Sequence, residues 1–234
     1  MRLQVYLFDK YGFFIDLPTF AQPNPEEPDN PLIPSDAVTF APLELAANQC
    51  AKLNADATAW EVLPDLRGTK YWLNDVEYVV TERGVSLPEG AVTEKPAGVI
   101  AQELDRYKSQ ASAAINAERD KRIWAGIEFP SGSGVFFDSD EIAQKNVNGA
   151  VTMCMLAQAA GQSFSQDWIT LDNNVVTLDA AGITGLGVTL GRHIGKHRLQ
   201  AREYKDTVAE STTRDDIDAA VKLYINTDQN GATP

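Results

Sequence analysis

Short apolar runs separated by turn residues dominate the first hundred positions of the chain. Leu3–Phe8 and Phe13–Leu17 have the length and composition of strands, and the tetrapeptide DKYG between them ends in a glycine that suits a positive φ. Thr69–Leu73 and Glu77–Thr81 are β-branched or aromatic-rich runs joined by Asn74-Asp75. The pattern predicts an opening hairpin and a second hairpin with aromatic side chains on one face.

A proline-rich segment and a short helix are expected between these hairpins. Four prolines within residues 18–42 recur at every third position: Pro25, Pro28, Pro31 and Pro34. Because a polyproline II helix has three residues per turn, this spacing would align the four rings along one edge. The segment is then either an extended spacer on its own domain or a ligand for an aromatic groove on a partner. Leu43–Leu53 has a helical composition and is expected to form a short helix.

A long helical pattern begins after Pro96. Val99–Arg122 contains no proline, and its apolar residues recur at alternating spacings of four and three, as Ile100, Leu104, Tyr107, Ala111 and Ala114. The pattern predicts an amphipathic helix. Its stripe fits either packing on its own domain or a coiled-coil seam between copies of the chain, so a homo-oligomer is one alternative.

Two hairpins that each lead into a helix are predicted next. They are formed by paired apolar runs, Ile127–Phe129 with Val135–Phe137 and Trp168–Leu171 with Val175–Leu178. Asp138 and Glu141 are expected to cap a helix over residues 139–160, and Asp179 is expected to cap the helix after the second hairpin. A last helix is predicted over residues 213–225.

These elements predict an α+β fold with two domains. The first, over residues 1–96, is a small β-rich domain with a proline-rich arm. The second, over residues 97–234, is helical and carries two short β-hairpins. With 234 residues and 44% hydrophobic content, the chain is long and apolar enough for packed cores.

Charge and cysteine content narrow the range of partners. The chain carries 33 acidic and 20 basic residues, a net charge of −13, which repels the phosphate backbone of nucleic acids. No apolar run approaches the length needed to span a bilayer, so neither nucleic acid nor membrane is an expected partner. Cys50 and Cys154 are too few for a disulfide framework and fit a reducing cytoplasm.

No catalytic or metal-binding pattern in the sequence is complete. His193 and His197 have the spacing of the HExxH zinc motif, but Ile194 occupies the position of its glutamate. The histidines are expected to complement the dipole at a helix C-terminus. The glycines in GITGLGVTLG reverse the order of the dinucleotide fingerprint and indicate a helix that packs closely on its neighbours. We expect no catalytic residue, metal or cofactor.

A series of short motifs runs in a fixed order through residues 1–96. They are VYLFDKYGFF, a proline-rich passage ending in VTFAPLE, the pattern W-x-x-x-P-D-x-R-G-x-x-Y-W, and RG-x-x-LPEG followed by a lysine-proline pair. This series resembles the tail-fibre assembly proteins of tailed bacteriophages. The remainder, with AINAERDKRIWAGIEF and WITLDNNVVTL, resembles a C-terminal domain of unassigned role in other phage tail proteins.

The resemblance implies a non-enzymatic assembly chaperone that works in the cytoplasm of the host bacterium. Its implied partner is the trimeric phage tail-fibre protein, bound at the distal, C-terminal region, whose folding and trimerisation the chaperone assists. Attachment at the fibre tip, as proposed for some members, would make the chain a virion component near the end that recognises the host.

Four side chains of the first domain are candidates for binding the fibre: Trp60, Arg67, Tyr71 and Trp72. Aromatic residues and arginine dominate binding hot spots. The alternative is that the tryptophans form the core of a small domain and that Arg67 stabilises a turn.

Three other functional classes remain open. The chain could be a structural component of the virion tail, fibre or baseplate, or a lectin-like protein that stacks tryptophans on sugars. An enzyme acting on cell-surface polymer would need a cleft with paired carboxylates, and no acidic pair stands out.

Overall fold

The computed structural model describes residues 2–227, which divide into two compact units. The boundary falls between Ile100 and Ala101. Unit 1 is residues 2–100 and unit 2 is residues 101–227. Unit 1 is built from short strands and unit 2 from helices with short hairpins, so the fold is α+β, as predicted.

Unit 1 is built from seven short strands: β1 Gln4–Phe8, β2 Phe14–Phe20, β3 Ala37–Val38, β4 Gln49–Leu53, β5 Trp60–Pro64, β6 Lys70–Leu73 and β7 Val76–Val79. They form three small antiparallel sheets with strand orders β2-β1-β3, β4-β5 and β6-β7. The opening hairpin is confirmed, with Val5 paired to Thr19 and Phe8 to Phe14.

The helix predicted over Leu43–Leu53 is wrong. Its second half is strand β4, which pairs along its whole length with β5. Asn48 has a positive φ of 61°, which interrupts any helix at that point. Ala51 and Leu53 are buried beside Trp60, so tertiary packing overrides the helical propensity of this segment.

The proline-rich segment does not run as one straight polyproline II helix. Gln22 and Leu32 exchange two backbone hydrogen bonds of 3.0 and 2.8 Å, so the chain turns back on itself between them. Within this loop a further turn forms, in which the Asn30 N–H donates to the Glu27 carbonyl. The four regularly spaced prolines therefore do not share one edge.

Unit 2 contains both predicted hairpins. Ile127 pairs with Phe137 in the first, and Trp168 pairs with Val176 in the second. The elements of this part of the chain are α1 Ala97–Ile123, which begins in unit 1, β8 Ile127–Glu128, β9 Phe136–Phe137, α2 Glu141–Ala159, β10 Ser165–Ile169, β11 Val175–Asp179, α3 Ala180–Glu210 and α4 Arg214–Asn226.

Two hydrophobic clusters form the core of unit 2. One joins the hairpins to α2 and the first half of α3, and the other joins α1 to the second half of α3 and α4. In α1 the buried positions include Ala111 and Ile115, whereas Ile100 and Ala114 are exposed, so the predicted stripe is wrong at its first and last positions. The predicted close packing of the glycine-rich helix is confirmed, because a Cβ on Gly187 would lie 2.8 Å from Val151 Cγ2.

The helix caps agree only in part with the prediction. Asp140, and not Asp138, caps α2, with its carboxylate accepting from the Ala143 N–H at 2.7 Å. Asp179 caps α3 as expected, accepting from the Gly182 N–H at 2.8 Å.

The two histidines lie in the middle of α3, so the expected dipole interaction at a helix C-terminus is wrong. His193 Nε2 is 3.2 and 3.1 Å from the carbonyl oxygens of Arg122 and Ile123. Because carbonyls only accept, Nε2 is the donor. The His193 and His197 rings meet edge to face at 4.6 Å, which gives the pair a packing role between α3 and the end of α1.

Candidate partner-binding surface

The β6–β7 hairpin is formed by a two-residue turn. Asn74 and Asp75 have positive φ angles of 51° and 64°, as the mirror-image turns of tight hairpins require. Leu73 then pairs with Val76, and Tyr71 pairs with Tyr78. The predicted hairpin and its turn are therefore confirmed.

The aromatic side chains of this hairpin lie on both of its faces. The Tyr71 and Tyr78 rings stack at 5.4 Å on one face. Trp72 faces the other way, because successive side chains of a strand alternate. The prediction of aromatics on a single face holds for the tyrosines and is wrong for Trp72.

The second strand of the hairpin exposes apolar side chains. Val76 is 51% exposed, Tyr78 44% and Val79 48%. These residues occupy both faces of β7, so each face presents some apolar surface. Exposed apolar surface of this kind suits an interaction with a partner.

The outer edge of β7 is unpaired within the described residues of unit 1. Val80 donates its N–H to the Thr69 carbonyl at 3.0 Å, so the alternation of an antiparallel ladder directs the backbone groups of Glu77 and Val79 away from β6. No described backbone group bonds to those of Glu77 or Val79. The strand therefore offers free donors and acceptors beside exposed apolar side chains.

The four residues predicted to bind a partner lie in three different environments. Trp60 is only 7% exposed, contacts Phe14 and Phe40 edge-on, and donates its indole N–H to the Phe40 carbonyl at 3.1 Å. It is a core residue and offers little surface. Tyr71 and Trp72 are half-buried in the hairpin, and Trp72 exchanges backbone hydrogen bonds with Val92.

Arg67 belongs to a different feature, a cleft of about 640 Å³. Its guanidinium makes two hydrogen bonds of 2.7 Å to the Asp65 carboxylate. This pairing lowers the pKa of Asp65 below its usual value and raises the pKa of Arg67. The cleft also receives the second arginine-glycine turn of the motif series, Arg83-Gly84.

An aromatic ring with two cations close to it lines the cleft. Lys52 Nζ lies 5.2 Å from the centre of the Phe13 ring, and the Arg83 guanidinium lies 5.5 Å from it. Arg83 also lies 3.8 Å from the Asp9 carboxylate. Sequence reasoning missed these residues because they come from separate segments, and the repeated arginine-glycine pair was the only available signal.

Gly84 is required by the geometry of this cleft. Its φ is +75°, and a Cβ there would lie 3.0 Å from Leu63 Cδ1 and 3.2 Å from Phe13 Cζ. A side chain would therefore be strained by the backbone and would also press on the aromatic ring. The glycine of the motif is explained by packing.

The described residues contain no feature of a metal site. Within residues 2–227, no group of three or more histidine, cysteine or acidic side chains could hold a metal ion.

Burial raises the pKa of the Cys50 thiol, which favours the protonated and less nucleophilic form. Among the described helices, none combines the length and the apolar character that crossing a membrane would require.

Comparison with known proteins relates unit 2 to a described family. A domain of unknown function, DUF4376, is found at residues 106–221. The match begins within α1, ends within α4 and includes no residue of unit 1. No curated protein and no solved structure matches the chain, and none of these findings names a tail-fibre assembly family.

Proposed function

We propose that the chain is a non-enzymatic phage tail-fibre assembly protein that binds the distal part of the tail-fibre polypeptide through its β6–β7 hairpin. The observation that carries the proposal is the unpaired edge of β7 beside exposed Val76, Tyr78 and Val79. This edge belongs to the segment whose motif order resembles tail-fibre assembly proteins.

The physical requirement for such a chaperone follows from the architecture of the fibre. A trimeric, β-rich fibre forms contacts between residues far apart in sequence, and its strand edges stay exposed until the third chain arrives. A free strand edge on an assembly protein pairs with such an edge by main-chain hydrogen bonds. Exposed apolar side chains on both faces of β7 then cover apolar surface on the fibre chain.

Co-expression with a phage tail-fibre polypeptide tests the proposal. We expect soluble trimeric fibre, measured by size-exclusion chromatography, to depend on the chain. Val79→Pro removes an outward-facing N–H and should reduce the yield of trimer several-fold, whereas the matched variant Val79→Thr keeps the N–H and should support assembly. Proline is tolerated at such an edge position, so the hairpin itself should remain folded.

The co-eluting proteins distinguish the remaining alternatives. A chain that stays with the trimer would be carried into the virion at the fibre tip. If the fibre trimerises equally well without the chain and the two never associate, the chaperone proposal fails, and a structural role in the tail, fibre or baseplate replaces it.

A further inference from the structure

A groove in unit 2 lies between α2 and β10 and has no part in the function proposed above. Its volume is about 730 Å³, within the range of binding pockets. Ile142 and Met153 line it and are 68% and 57% exposed. All of its lining residues belong to unit 2, so the groove is independent of the β6–β7 hairpin.

One wall of the groove is the outer edge of β10. Thr170 donates its N–H to the Asn174 carbonyl inside the hairpin at 2.9 Å, so strand alternation directs the backbone groups of Asp167 and Ile169 outward. The N–H of Leu171, two positions after Ile169, also points outward, because it donates to the Phe136 carbonyl of β9 at 2.7 Å. This bond agrees with the alternation along β10.

Strand β9 forms a hydrogen bond only with the end of that edge. It is two residues long, and the chain then leaves towards the cap of α2. No described backbone group bonds to those of Asp167 or Ile169. The edge therefore continues beyond β9 with four unpaired backbone groups that face the groove.

A glycine on α2 leaves the opposite wall of the groove open. Gly149 lies inside a 19-residue helix, where glycine is less favourable than alanine. No packing contact explains it, because a Cβ at this position would meet nothing within 4 Å. A missing side chain in a groove wall fits the close approach of another backbone.

The groove is lined mainly by acidic side chains, which indicates the kind of segment that it could bind. Asp138, Asp140 and Asp167 line it against a single cation, Lys145. Asp140 is engaged as the cap of α2, and Asp167 accepts from the neutral Thr177 hydroxyl at 2.6 Å, so its charge is not compensated there. Asp138 is exposed. The groove is therefore complementary to basic side chains.

We propose that this groove binds an extended segment of a partner polypeptide in which apolar and basic residues alternate, added as a strand to the free edge of β10. Side chains on one face of the added strand would contact Ile142 and Met153. Those on the other face would lie beside Asp167, where opposite charges on neighbouring strands attract. Such strand addition takes its affinity from the main chain and its specificity from alternate side chains.

Binding of a fluorescein-labelled decapeptide of alternating valine and lysine to the full chain, followed by anisotropy, tests this proposal. We expect saturable binding that weakens at least about tenfold in Ile169→Pro, which removes one outward N–H, and stays within about twofold in Ile169→Thr, which keeps it. Gly149→Leu fills the open wall and should also weaken binding at least about tenfold, while it favours the helix.

Two further peptides separate main-chain pairing from charge. A decapeptide N-methylated at its four central residues loses backbone donors on both of its edges. A decapeptide with glutamate in place of lysine reverses the charge of the peptide. Both peptides should bind at least about tenfold more weakly. Circular dichroism checks that each variant is folded. If Ile169→Pro unfolds, the binding of Gly149→Leu and of the N-methylated peptide tests whether the groove binds an added strand. No binding of the valine-lysine peptide at about 1 mM, or equal binding of all peptides and variants, would overturn the proposal.

Discussion

Arg67 shows how a single motif residue acts on its surroundings. Its guanidinium is fixed by two hydrogen bonds to Asp65, two positions earlier, at a turn that enters the cleft lined by Phe13. The arginine therefore orders the turn and presents its outer surface to the cleft, so the two interpretations of Arg67 drawn from the sequence are compatible. Trp60, by contrast, is committed to the core.

The pKa of Asp65 tests this arrangement. Arg67→Gln should raise that pKa towards its ordinary value of about 3.9, because the largest cause of its lowering is the hydrogen bond from Arg67. Arg83→Gln is the matched control and should change it less, since Arg83 is the weakest of the causes. Carbon NMR of the carboxyl group across pH 2–7 gives both values, and equal shifts in the two variants would contradict the account.

The same pair sets the direction of a pH effect on stability. Because the pKa of Asp65 is lower in the folded state, the ion pair stabilises unit 1 above the unfolded value of about 3.9. This contribution is lost as the pH falls through the folded pKa. The difference in unfolding free energy between the wild-type chain and Arg67→Gln should therefore shrink below about pH 4.

Among the elements of unit 2, the close contact of α2 with α3 depends on one particular glycine of α3. Gly187 lies against Val151, whereas Gly191, one turn further along α3, has nothing within 4 Å of a Cβ position. The two glycines share one helix and almost one face, yet only the first is required by packing.

Alanine substitution at these two glycines should change stability in opposite directions. Gly187→Ala should destabilise the chain by about 1–3 kcal/mol, because the β-branched Val151 cannot swing away. Gly191→Ala should stabilise it by about 0.5–1 kcal/mol through helix propensity alone. Urea unfolding measures both changes, and a shift of the same sign in both variants would refute the close approach of α2 and α3 at Gly187.

The elements with strong local signals could be predicted from the sequence, and those decided by tertiary pairing could not. The Asn74-Asp75 turn and the α1 pattern carry their own signals in turn chemistry and periodicity. Strand β4 has helix-favouring residues and becomes a strand only because β5 lies beside it. The cleft around Phe13 could not be predicted because its residues come from four separate segments.

At the scale of the whole molecule, each unit offers a free strand edge of its own. Of the α1 stripe, Leu104, Tyr107 and Ala111 pack with α3 and α4 within unit 2, whereas Ile100 and Ala114 are exposed, so the homo-oligomer stays a prediction. Unit 1 carries the motif series and the β7 edge, and unit 2 carries the DUF4376 match and the acidic groove. We infer that the chain can hold two polypeptide segments of different chemistry.

Hydrogen exchange at the β7 edge tests directly whether this edge binds the fibre. The amides of Glu77 and Val79 face away from β6, whereas that of Tyr78 faces it, so the first two should exchange fast in the free chain and the third slowly. On addition of the distal fibre fragment, we expect the exchange of Glu77 and Val79 to slow by about tenfold or more and that of Tyr78 to change little. A stable complex in which the exchange of Glu77 and Val79 is unchanged would contradict binding through this edge.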